Sequence, residues 1–417
     1  MNPLEQIAEL FSTVAPEHFA NLSLDELMSG EYQVGFASLD FFSLEPFVQY
    51  LQHMPPARCT IYPSVDEMDT TADGIIVVAL QGRQLHATKY LIGDDVSYDT
   101  AFYSFGDWSC RQQVYRNGAE VKPIVIEFLK KDAEGYPVTF ITAREYGLKV
   151  GDYEWSEAGV RIIERSARMP EVGVAPELTP YMESLVEFSS TGEVEVIRNL
   201  TQNSIVYDRS HEALSLADML EQASSALHDK ILADLQAAPV ANTVGCFLFE
   251  YSDQGPLPPT IALIQPHEIT QEEDDYPLLW LNAPDCELFT EDDFDGIRLH
   301  GEHDALFDRI NAQINAQIDE LDYEQADQLI VGFYLTLCRR LQDSLRSSSL
   351  LQTTEDFFVT AREFSACNEA VFLQQLWPEE RWQPLAAALE QFAAAQAERE
   401  QAMIRRLEER DLQDDGV

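Results

Sequence analysis

The residues whose types and spacing come nearest to a recognisable chemistry run from Glu291 to Asp304, in the order Glu-Asp-Asp-Phe-Asp-Gly-Ile-Arg-Leu-His-Gly-Glu-His-Asp. Counted as a twelve-residue calcium loop, the stretch puts Asp293 and Asp295 at the third and fifth positions, Gly296 at the sixth and Glu302 at the twelfth. Oxygen ligands around a sharp glycine turn are what Ca²⁺ requires. The stretch departs from that pattern three times: Glu291 occupies the first position, where Asp is usual, charged Arg298 occupies the eighth, where an apolar residue is usual, and no clear helix precedes it. His300, His303 and Asp304, with Cys286 nearby, also read as ligands for zinc or another transition metal. No H-E-x-x-H and no pair of closely spaced ligand doublets accompanies them. A loop leading into a helix, with acids favoured by the helix dipole, accounts for the same residues.

Nucleophilic chemistry has less to stand on. The sequence holds no G-x-S-x-G elbow, no P-loop and no G-x-G-x-x-G after a strand. His18, His53, His86, His211, His228 and His267 are dispersed. Aromatic residues are more concentrated: Tyr98, Phe102, Tyr103, Phe105 and Trp108 share one segment with Asp94, Asp95, Asp99 and Asp107, and Tyr276 and Trp280 share another. On strands such rings pack in cores or across strands. Ringed by acids they also suit anchors for a partner. The residues expected to meet a partner are therefore Asp94, Asp95, Asp99, Tyr103, Asp107, Trp108, Tyr276 and Trp280.

The charge balance narrows the partner. Against 73 Asp and Glu stand 27 Lys and Arg, a formal net charge of −46. Residues 1–210 carry 32 acidic and 15 basic side chains, and residues 211–417 carry 41 and 12. Such a field repels phosphate backbones and anionic lipid, so nucleic-acid and membrane-surface binding are disfavoured, whereas a basic protein is attracted and steered. Acidity that serves only solubility would look the same, because net charge bears on association and not on fold. The six cysteines are scattered, without a C-x-x-C pair, and read as reduced core thiols. The first ten residues lack a basic and an apolar region of signal-peptide type, and no apolar run approaches the roughly 18 residues of a membrane span. A cytoplasmic location is expected.

The elements that must position these residues fall into two groups. Short amphipathic helices are expected at 3–14 and after Ser23, where Ser23 and Glu26 have capping-box spacing. Strand-like stretches follow at 74–80 and 84–92, at 110–116 and 119–129 around a type I′ signal at Asn117 and Gly118, and at 136–146, 159–166, 193–199 and 203–207. They form an antiparallel meander. From Ser215 to Ala237, Leu216, Met219, Leu220, Ala223, Leu227, Ile231 and Leu235 recur at helical spacing. Strands at 243–251, 260–265 and 277–282 come next, then helices near 304–320, 323–347, 355–373 and 378–412. The fold class is α+β in two domains: a β-rich domain over 1–210 with an antiparallel sheet, and a helix-rich acidic α+β domain over 211–417.

The second half, with its leading helix at 215–237, its strands at 246–251 and 260–265, the stretch 278–284 and its acidic helical tail, resembles the small acidic α+β immunity-type domains found beside bacterial polymorphic toxins. That resemblance implies a cytosolic protein that masks a toxin by surface complementarity and needs no cofactor. The expected function is thus an acidic, neutralising binder of a basic protein. The alternative is a metal-dependent hydrolase or calcium-modulated protein, holding Ca or Zn through Asp293, Asp295, His300, Glu302 and His303. A structural subunit of a larger assembly is a third reading. Leu385, Leu389, Phe392, Met403 and Leu407 form a thin stripe on the last helix, which either lies on its own domain or joins two copies.

Overall fold

The computed structural model describes residues 3–12, 32–37, 43–47, 50, 60–62, 75–80, 83–93, 96–117, 120–253, 255–269, 276–289, 297–319, 323–365 and 368–414. The chain is α+β and divides into two compact units, Met1–Glu212 and Ala213–Val417. The helix expected after Ser23 lies outside the described residues.

The first unit opens with a 3-10 turn, Pro3–Gln6, and a short helix, α1 (Ile7–Ser12). Thirteen strands follow among the described residues: β1 (Tyr32–Ala37), β2 (Thr60–Tyr62), β3 (Ile75–Leu80), β4 (Arg83–Gly93), β5 (Val96–Phe105), β6 (Trp108–Asn117), β7 (Glu120–Lys131), β8 (Pro137–Arg144), β9 (Gly147–Ser156), β10 (Gly159–Arg168), β11 (Thr179–Phe188), β12 (Val194–Asn199) and β13 (Ser204–Asp208). They pair in one antiparallel sheet in sequence order from β13 back to β3, after which β1 lies between β3 and β2. Asn117 pairs with Glu120, so the hairpin signalled by Asn117 and Gly118 closes one residue later than its type I′ dipeptide implies. Five of these strands, β1, β2, β5, β9 and β11, were not expected. Lys149, Asp152 and Glu154 interrupt the apolar alternation of β9, although Leu148 and Val150 still point to one face and Tyr153 to the other.

Both faces of this sheet are covered. On one, Ile7 and Phe11 of α1 pack over Cys110, Ile126, Phe128, Ile141 and Val150. On the other, Leu44, Phe47 and Tyr50 pack against Leu129, Phe140, Tyr153, Ile162 and Val186. A strand buried on both faces has room for charge only where charge is paired.

The second unit holds a three-stranded sheet in the order β15 (Gly255–Ile264), β14 (Thr243–Ser252), β16 (Gln352–Glu363). Its helices are α2 (Leu216–Ala237), α3 (Asp304–Asp319), α4 (Tyr323–Ser347), α5 (Glu369–Leu376) and α6 (Glu379–Asp414). Ser215 caps α2 by accepting from the Asp218 N–H. Helices α2, α3 and α4 bury Leu227, Ile231, Phe307, Ile310, Tyr334 and Leu341 against Phe247, Phe249, Leu263 and Val359. On the opposite face, Leu278, Leu281 and Phe289 pack with Cys246, Leu248, Ile264 and Phe358.

Two expectations fail here. The helix expected over 355–373 is strand β16 as far as Glu363, followed by α5. Phe357, Phe358, Val359 and Thr360 favour a strand, and β16 gains its place by pairing in parallel with β14 across more than a hundred residues, a contact with no local signature. The strand expected over 277–282 is a succession of turns leading to a 3-10 turn, Ala283–Asp285. Leu278 and Leu281 are buried three residues apart, which is not a strand period. The outer edge of β16 is met by side chains: Gln342 Oε1 accepts from Val359 N at 3.0 Å, and Arg346 and Arg381 donate to the Phe357 and Asp356 carbonyls. That blunts an edge otherwise open to further strands. Among the described residues no helix is long and apolar enough to cross a membrane.

Candidate functional site

The residues expected to meet a partner do not form one surface patch. Asp94 and Asp95 lie outside the described residues. Asp99 is near the start of β5 and Asp107 is in the turn beyond its end; Asp99 and Phe105 alone are six strand residues apart, about 20 Å. The cluster that is compact in sequence is thus split between opposite ends of the sheet. Trp108 is buried beneath α1, with Tyr103 and Phe105 packed beside it. Only Asp107 is freely exposed there, and it pairs with Lys130 at 2.8 Å while the Lys130 ammonium stands 5.6 Å from the Trp108 ring centre. In the second unit the Tyr276 ring meets Phe392 at 5.6 Å and the Trp280 ring meets Phe358 edge-on at 6.2 Å. Both rings serve the packing of α6 and of residues 276–289 on the sheet.

Of the metal candidates, Asp293 and Asp295 lie outside the described residues. His300 is exposed, with Nδ1 3.4 Å from Asp304 Oδ1, an interaction that holds its pKa above the usual imidazole value. Asp304 Oδ1 also accepts the Gly301 N–H at 2.9 Å, so this carboxylate ties the loop to the start of α3. Glu302 is exposed and His303 packs on Phe307 with ring centres 6.2 Å apart. Among the described residues no three His, Cys, Asp or Glu side chains gather as a metal site.

The structure assembles one arrangement that dispersed positions concealed. His228 Nε2 lies 2.8 Å from Ser344 Oγ and its Nδ1 lies 2.7 Å from Asp229 Oδ1. The order Ser, His, Asp is that of a hydrolytic triad, but the surroundings oppose the chemistry. Ser344 sits in the last turn of α4, where the helix dipole is negative and would destabilise an oxyanion. The orienting Asp229 is 72% exposed, where its interaction is screened by water. The chain of bonds clasps α2 to α4.

The most developed polar site is buried on the 43–50 face of the first sheet. Cross-strand register aligns Arg111, Glu127, Thr142 and Lys149 in one row over β6, β7, β8 and β9. Arg111 Nη1 donates to Glu127 Oε1 at 2.8 Å. The same carboxylate accepts from Ser43 Oγ at 3.0 Å and from Leu44 N at 2.7 Å. Lys149 Nζ lies 2.6 Å from Glu45 and 2.9 Å from Glu164, which Gly151 opposes across the ladder. Three carboxylates thus face two cations. That imbalance gives both partners their direction: burial, reinforced by Glu164 and Glu127, raises the Glu45 pKa despite Lys149, and the two carboxylates hold the Lys149 pKa up although burial alone would lower it. Tyr153, beside the same groups, is pushed far up by burial and by Glu45, Glu164 and Asp152.

A pH prediction arises at Glu45. Its pKa in the folded chain lies above the unfolded value, so its contribution to stability is fully present below the unfolded pKa and is lost as pH rises through the folded one. Glu45→Gln should melt no lower than the parent at about pH 7, and its advantage should vanish towards about pH 4, where Glu45 is protonated. Melting curves of both chains across that range decide it; a clearly less stable glutamine variant at neutral pH contradicts the direction assigned.

Cations are few and largely spent. Among the described residues eleven Lys and Arg side chains stand in ion pairs with thirteen carboxylates. Arg339, Arg346 and Arg381 donate to backbone carbonyls, and Arg381 also lies over the Trp377 and Phe358 rings. No protein family, curated protein or solved structure matches this chain.

Proposed function

We propose that this chain is an acidic protein-binding protein that masks a basic protein partner in the cytoplasm, in the manner of an immunity protein, and that it works by surface complementarity without a cofactor. The observation that supports this reading best is the internal use of its cations. With 73 acidic side chains and most visible Lys and Arg already engaged, the remaining negative field has little inside the chain to neutralise it and acts outward. A field of that sign accelerates encounter with a cationic protein and turns away nucleic acid and anionic membrane.

The tagged chain, recovered from its native host at low salt and then washed with high salt, should release one basic protein identifiable by mass spectrometry. With that protein in hand, the association rate should fall at least about tenfold between low and high ionic strength, the dissociation rate changing less. Recovery of the chain with nothing bound at low salt removes this reading.

A further inference from the structure

An antiparallel meander returns every second turn to the same end of its sheet. The turns β5–β6, β7–β8, β9–β10 and β11–β12 therefore lie along one end of the first sheet. Three of them present aromatic rings in contact. Tyr136, before β8, is 46% exposed; Trp155, near the end of β9, is 39% exposed; Phe188 ends β11 and is half-buried. The Tyr136 and Trp155 ring centres are 4.7 Å apart, and Trp155 stacks on Phe188 at 6.2 Å within 12° of parallel. On its other side Phe188 meets Phe47 at 6.1 Å, so the ladder is rooted in the core and becomes more exposed outward. Trp155 Nε1 donates to the Pro137 carbonyl at 2.8 Å, which fixes the ring and satisfies its polar edge. The outermost ring, Tyr136, and the exposed part of Trp155 are what the ladder offers to a partner.

The rim is mainly acidic, with an exposed cation, Lys131, beside Asp132 at the end of β7. Asp132 and Glu134 lie in the β7–β8 turn beside Tyr136, Glu154 and Glu157 flank Trp155, and Glu187 precedes Phe188. Two of these carboxylates are already engaged, Glu154 by Arg161 and Glu187 by Arg198 at 3.1 Å, and Arg161 is also held by Glu183 at 2.8 Å. Fixed, exposed aromatic rings inside a carboxylate rim match the anatomy of an interface with an apolar centre and a polar border.

We propose that the Tyr136, Trp155 and Phe188 ladder is the docking surface for the basic partner, with Asp132, Glu134 and Glu157 receiving its cationic side chains. The proposal rests on the acidic-binder reading above and commits it to a place. Charge selects the occupant, because a second copy carrying −46 would be repelled from the same rim. Arginine suits this surface better than lysine, since a planar guanidinium stacks on an aromatic face while donating to carboxylates at its edge. The chemistry recognised is therefore an arginine-rich segment that also carries apolar side chains.

The probe is a synthetic peptide of alternating arginine and leucine, titrated into the full chain at low salt. Binding should be tighter than that of an alternating lysine and glycine peptide of equal charge. Tyr136→Ala with Trp155→Ala should weaken it about tenfold or more, the scale of lost aromatic anchors. Tyr136→Ala alone removes an exposed side chain from a turn, and should weaken binding without lowering the melting temperature. Equal binding by the parent and both variants overturns the docking surface, and so does failure of the parent to bind the arginine and leucine peptide. The broader reading is judged apart, by whether salt releases a basic protein from the native chain.

Discussion

Replacing Arg111 by methionine is expected to cost the first unit about 3–5 kcal/mol, the penalty of leaving one partner of a buried ion pair without the other. Arg111 and Glu127 are both nearly inaccessible, and the remaining donors to Glu127, Ser43 Oγ and Leu44 N, are neutral. The carboxylate would have to be buried with weak compensation or take up a proton, and the docking of residues 43–45 would weaken with it. The pair is not thereby strongly stabilising. Arg111→Met with Glu127→Met removes both charges and should recover much of the loss, because desolvation offsets most of the attraction within such a pair. Urea unfolding followed by tryptophan fluorescence distinguishes the cases. A single variant within about 1 kcal/mol of the parent would mean that water reaches Glu127 in the folded chain.

Gly159→Ala is expected to be comparably damaging, for a steric reason. A Cβ at Gly159 would lie 2.1 Å from the Val186 carbonyl oxygen, and the residue has φ +132°, a backbone region essentially restricted to glycine. The obstacle is backbone of β11, held in register by the pairing of Val160 with Val186, so no side chain can swing aside. The loss should exceed about 3 kcal/mol, strain and clash together. Gly135→Ala is the control: φ is +94° there, but nothing lies within 4 Å of the added Cβ, so it reports strain alone. If both variants unfold at the same denaturant concentration, the β9–β10 turn relaxes at no cost and the close approach is not required.

Much of the fold was legible where the signal is local. Strand-like stretches between turn signals marked the hairpins around 81–82 and 118–119, and 3.6-residue apolar spacing marked α2. The strand β16 was not legible, because its register is set by a parallel neighbour distant in sequence. Of the candidate sites, the aromatic and acidic cluster from Asp94 to Trp108 was visible as composition only. A strand and a turn then sent its members to opposite ends of the sheet and put Trp108 inside.

The sequence by itself determined the sign of the field, the scarcity of cations, the α+β class and the strand-rich character of the first half, since these depend on composition and short-range periodicity. Only the tertiary structure decided which charges are internal and which rings are exposed. Hydropathy assigns Arg111, Glu127, Lys149 and Glu164 to the surface, yet cross-strand neighbours supply each with an opposite charge, and pairing makes their burial tolerable. Tyr136, Trp155 and Phe188 are separated by 19 and 33 residues and share no motif; they meet because the meander brings alternate turns to one end.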